Sequence, residues 1–135
     1  MPISREDLRA NQAYIDARGL WGYLGCLDPF EQLRYLIGDE ACLLAMIEEP
    51  EWIADISRVH TDALLGFFEA ALRDGARPEG VFLFGDMAYN HATVCSPDAS
   101  RQLIWPDHKR VADWAHRLGL RVIFHSDGNV NGVLD

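Results

Sequence analysis

The sequence predicts an α/β fold built from parallel βα units, and three observations carry that prediction. Three short apolar runs, at residues 21–27 (WGYLGCL), 80–84 (GVFLF) and 120–124 (LRVIF), have the length and composition of buried strands. The middle run is apolar on both parities, the mark of a strand covered on both faces, as in a parallel sheet. The segments between the runs carry apolar residues at helical spacing, and this alternation implies right-handed βα crossovers. Polar residues gather directly after each run, where βα folds bind their ligands.

Taken in order, Ser4 caps a first helix, with acids in its opening turn where the helix dipole favours them, and Gly19 ends it in the left-handed conformation. After the first strand, Asp28-Pro29-Phe30-Glu31 has the form of a capping box with proline in the first helical position. A helix to about Ile37 follows, and then one from Asp39 to Ile47. Pro50 opens the longest helix, on which Ile53, Ile56, His60, Ala63, Leu64, Phe67 and Ala71 form an apolar stripe. After the second strand, Ser96-Pro97 caps a short helix through Ile104. Pro106 starts another, carrying Val111, Trp114, Ala115 and Leu118 to Gly119. The third strand follows, and Asn129 to Leu134 has the look of a helix starting. Three strands and 135 residues fall short of the eight strands and about 250 residues of a closed barrel. The expectation is therefore a partial (β/α)8 (TIM) barrel of about three βα units. It forms a single domain over 1–135, with the first helix in 1–19 and the βα units in 20–135. Its open edges imply a homo-oligomer or the remainder of a longer barrel chain.

Composition narrows the function. Apolar content of 49% and charged content of 24% are those of a globular protein, and the net charge of −9 argues against a nucleic-acid surface or anionic lipid. Three cysteines, Cys26, Cys42 and Cys95, are widely spaced with no C-x-x-C pair, which suits free thiols in a reducing compartment. The first residues lack the basic and apolar regions of a signal peptide, and no apolar run approaches a membrane span. A cytoplasmic protein is expected.

The strand-end rule selects three clusters. They are Asp28 with Arg34 and Tyr35; Asp86 with Met87, Tyr89, Asn90 and His91; and His125, Ser126, Asp127, Gly128 and Asn129. Several members have structural readings. Asp28 and Ser96 suit helix caps, Glu31 belongs to the capping box, and Tyr35 could be a core aromatic. His60 reads as a satisfied core histidine, and His91 and His108 as loop and surface residues. Asp86 is harder to explain structurally, because a carboxylate beside GVFLF and Gly85 enters a partly buried place and needs a partner there. His125 beside Asp127 could be a general acid or base, or the two could ligate zinc; alternatively Asp127 or Asn129 caps the next helix.

Four stretches resemble the uroporphyrinogen decarboxylase superfamily, which also contains the zinc-dependent methyltransferases that serve corrinoid proteins. They are Gly22–Phe30 with Tyr35; Phe84-Gly-Asp-Met-Ala88; Ser96-Pro97 followed by Trp105-Pro106 and Lys109-Arg110; and His125-Ser-Asp-Gly-Asn129. They occur in the family's order from about residue 20 onward. The resemblance implies a (β/α)8 barrel that holds a tetrapyrrole or a methyl carrier at the strand carboxyl ends. Tyr35 then matches the decarboxylase tyrosine near the substrate. Asp86 falls where decarboxylases have a serine and many methyltransferase-like members an acid. His125 matches the first zinc ligand of the methyltransferases, with Asp127 in place of their cysteine. The expected roles are thus Asp86 and His125 in catalysis, Tyr35, Asp86 and Asn129 at the substrate, and His125 with Asp127 on a metal. The expected function is decarboxylation of a tetrapyrrole, of the porphyrin-biosynthesis type, which needs no cofactor; the alternative is a corrinoid-linked methyltransferase-like protein, which would need zinc. A non-catalytic assembly module is the reading outside enzymology.

Overall fold

The computed structural model describes residues 4–133. Its elements are α1 (Arg5–Arg18), β1 (Tyr23–Leu27), α2 (Pro29–Ile37), α3 (Asp39–Glu48), α4 (Pro50–Arg73), β2 (Gly80–Phe84), α5 (Pro97–Ala99), α6 (Trp105–Arg117) and β3 (Arg121–His125). A π-helical segment, Ser100–Ile104, joins α5 to α6, and a 3₁₀ turn spans Asn131–Val133. The expected helix start at 129–134 is thus this single turn, with Leu134 outside the described residues.

The three strands form one parallel sheet in the order β1-β2-β3, with Tyr23 opposite Gly80 and Gly80 opposite Arg121. Strand order and direction match the expected βα units. Two apolar clusters hold the helices in place. Leu64, Phe68, Val81, Leu83, Val111, Trp114 and Ala115 pack α4 and α6 onto one sheet face. Phe30, Leu33, Cys42, Met46, Ile53, Met87 and Ile104 form a second cluster, joining α2, α3, the start of α4 and the loop that leaves β2.

GVFLF is covered on one face rather than two. Val81 and Leu83 are buried against the helices, whereas Phe82 and Phe84 are half-buried on the other face, beside exposed Tyr23 and Ile123. There the rings meet each other instead of a second layer: Trp21 with Tyr23 and Tyr23 with Phe82, both at 5.4 Å between centroids.

The stripe on α4 also differs from expectation. Its buried residues are Ile53, Ser57, Thr61, Leu64, Phe68 and Ala71, while Ala63 and Phe67 face outward. Ser57 occupies a core position because its hydroxyl donates to Asp107 at 2.5 Å. His60 is partly buried, but its Nε2 finds no partner among the described residues, so it is not the satisfied core histidine expected.

Pro106 lies in the first turn of α6, which begins one residue earlier, at Trp105. No loop separates α6 from the short helix before it: the π-helical segment Ser100–Ile104 runs directly into α6, with Trp105 N–H reaching back to the Ser100 carbonyl. His108 lies within α6 instead of on the surface. It falls on the same face as Val111 and Ala115, and its ring packs 5.0 Å from Phe124.

Candidate functional site

The N-cap residues Ser4, Asp28 and Ser96 take the places the sequence suggested. Ser4 and Asp7 bond reciprocally at the start of α1, and Ser96 Oγ accepts the Ala99 N–H at 3.1 Å. Asp28 caps α2, accepting the Glu31 N–H at 2.6 Å, and has a second partner: its other oxygen lies 2.6 Å from Nε2 of His108. That cap fixes where the next strand must end. A Cβ on Gly85 would lie 2.3 Å from the Asp28 carboxyl carbon, so glycine is what lets the chain leave β2 across the start of α2.

Beyond that crossing, the second and third clusters meet. Ligand-capable atoms of Asp86, His125 and Asp127 all lie within 4.8 Å of one another. The two loops are tied together along their length. Gly85 N–H donates to the His125 carbonyl at 3.1 Å, and Met87 N–H to Ser126 Oγ at 2.9 Å. Asp127 N–H donates to Asp86 Oδ1 at 3.0 Å, and Asn129 N–H to the Tyr89 carbonyl at 3.0 Å. Gly128 has φ +82 and is pressed so close that a Cβ would sit 2.6 Å from the Ala88 carbonyl carbon.

His125 is stacked on Phe84, with ring centroids 4.9 Å apart and planes 20° apart. Its Nε2 faces Asp127 at 3.8 Å, too long for a hydrogen bond, and its buried Nδ1 has no partner among the described residues. Two carboxylates and an imidazole, all at strand carboxyl ends, make a donor set of hard oxygens and a borderline nitrogen that suits a divalent transition metal. The Asp127 side chain is exposed.

Tyr35 and Asn129 are not drawn into this group. Tyr35 is 68% exposed on α2 and makes no side-chain hydrogen bond among the described residues. Asn129 is exposed, and its side chain accepts the Asn131 N–H at 3.1 Å, a local turn contact. His91 is exposed in the loop, as expected. His108, expected at the surface, instead sits on the Val111–Ala115 face of α6, a helical spacing already present in the sequence. The expected capping box forms only in part: Asp28 accepts the Glu31 N–H, but the Glu31 side chain accepts the Asp86 N–H, and a contact 55 residues away leaves no local signal.

The thiols are unsuited to nucleophilic work at neutral pH. Burial, with a smaller push from the Asp28 charge, drives Cys26 up to about 12, and burial drives Cys42 up to about 11. Cys95 is also raised by burial, partly offset by its contact with Ser100. All three are free, as the spacing suggested. No helix among the described residues is long and apolar enough to cross a membrane. No protein-family model, curated protein or solved structure matches the chain.

Proposed function

We propose that the chain is part of the wall of a (β/α)8 barrel and that Asp86, His125 and Asp127 hold a divalent metal, zinc in the first instance, in a methyltransferase-like enzyme of the uroporphyrinogen decarboxylase superfamily. The observation that carries this reading is the convergence of the three side chains, from two different strand ends, to within 4.8 Å. Decarboxylation of an anionic tetrapyrrole is less well supported. Two carboxylates would repel substrate carboxylates there, and the nearby guanidinium of Arg34 is already engaged by Glu31 and Asp39.

A bound zinc would supply Lewis acidity, lowering the pKa of a thiol or water in an open coordination position. The chain's own residues would supply its place. The Phe84 stack fixes the plane of His125, and the Asp127 N–H fixes one oxygen of Asp86. An oxygen where the methyltransferases have a thiolate makes a harder site, so modest zinc affinity is expected.

Zinc titration by calorimetry tests the reading. The wild type takes up one zinc, His125→Ala abolishes uptake, and Asp127→Cys tightens it by supplying the softer ligand. Uptake falls as the pH is lowered, because every ligand must be deprotonated to bind. Equal uptake by wild type and His125→Ala would end the metal reading.

A further inference from the structure

We infer that Glu31 and Arg34, on α2, are positioning residues for the metal ligand Asp86, holding its backbone from both sides; the inference rests on the metal reading above. Glu31 Oε2 accepts the Asp86 N–H at 3.2 Å, and Arg34 Nη1 donates to the Asp86 carbonyl at 3.0 Å. The two side chains are joined to each other at 3.0 Å. Both are largely covered, Glu31 at 8% and Arg34 at 18% side-chain exposure. Arg34 is held a third time by Asp39 at 2.7 Å; burial works against its charge, but Asp39 and Glu31, with Asp86, together outweigh it and push the guanidinium above its ordinary value.

A helix cap does not need this arrangement. The Asp28 carboxylate already satisfies the first turn of α2, which leaves the Glu31 carboxylate free to reach across to β2. The clamp also sits one residue beyond Gly85, where the chain is pressed onto Asp28. Two successive residues after β2 are therefore fixed by the first six residues of α2 and its cap. With its N–H and C=O both held, Asp86 has a single backbone orientation, and its side chain is aimed at His125 and Asp127. Holding a ligand through neighbouring groups is how proteins commonly tune metal sites, and removing such a group typically weakens binding about 10- to 100-fold.

Cobalt(II), used as a spectroscopic substitute for zinc, provides the test on the intact chain. Absorption spectra and calorimetry give geometry and affinity for the wild type, Glu31→Ala, Arg34→Ala and Glu31→Gln. The near-UV circular dichroism of each metal-free protein reports whether it is folded. Glu31→Ala and Arg34→Ala are expected to bind cobalt about 10- to 100-fold more weakly, with a changed ligand-field spectrum. Glu31→Gln keeps an acceptor for the Asp86 N–H and is expected to retain most of the affinity, a rescue that a merely stabilising role would not single out. Folded Ala variants that bind as the wild type does would overturn this inference and leave the metal reading standing. A folded Glu31→Gln as weak as Glu31→Ala would also overturn it. A wild type that takes up no cobalt would overturn both.

Discussion

Asp28 has no accessible surface, and both of its oxygens are engaged, one by the Glu31 N–H and the other by His108. A carboxylate buried this completely is tolerable only with such partners, since breaking a buried pair typically costs about 3–5 kcal/mol. His60 shows the opposite case. Its Nε2 is buried without a partner among the described residues, and burial holds its pKa below the ordinary imidazole value, with Asp28 and Asp107 pulling the other way. A histidine with a depressed folded-state pKa binds its proton more readily in the unfolded chain. Stability therefore falls as the pH drops through the imidazole range toward the depressed value. His60 is only half covered, so screening leaves a fraction of the single-proton limit of about 1.4 kcal/mol per pH unit. Urea unfolding between pH 7.5 and about 5.5 should show wild-type stability declining and His60→Leu declining less steeply. Parallel profiles would remove His60 from the account.

At the scale of elements, the strands and caps were legible because their causes are local. Asp28-Pro29, Ser96-Pro97 and Gly19 each act within one turn of helix, and GVFLF can be little but a strand. What could not be read came from contacts distant in sequence. Only the tertiary fold shows that residues 100–104 form a π turn leading straight into α6, that Ser57 and Thr61 take core places on α4, or that one face of GVFLF stays open. The same division holds at the site. The rule of strand carboxyl ends picked out Asp86, His125 and Asp127, but not the interlocking of their loops. Gly128 tests that interlocking, since its left-handed backbone and its contact with Ala88 both exclude a side chain. Gly128→Ala should cost about 2 kcal/mol or more, from the left-handed penalty and the overlap together. It should also weaken metal uptake by moving Asp127, which makes it unlike a substitution at the equally positive-φ Gly75, where a Cβ meets nothing. Denaturant midpoints and calorimetry on Gly128→Ala and Gly75→Ala make the comparison; a Gly128→Ala that keeps wild-type zinc affinity would show that the loops do not set the site.

At the scale of the whole molecule, the accessible surface is 8347 Å² for a mass of 15.2 kDa. A compact monomer of that mass exposes about 7,100 Å². Part of the excess lies where the sheet is uncovered. The outer edges of β1 and β3 have no strand partner among the described residues, and Tyr23, Ile123 and the half-buried Phe82 and Phe84 lie on the open face. Unpaired parallel edges beside an apolar face favour association. The net charge of −9 opposes it, but through long-range repulsion that salt screens within about 10 Å at 0.1 M. The two effects differ in range, so they separate experimentally. Sedimentation velocity should show association rising with protein concentration and, at fixed concentration, rising again between 20 and about 300 mM salt as repulsion is screened. Ile123→Lys places a charge in the middle of the open face, away from both apolar clusters, and should reduce association at every salt concentration with little loss of folding stability. A wild type that stays monomeric at high salt and high concentration, with a sharp unfolding transition, would mean that the open face carries no penalty and that the chain is self-sufficient.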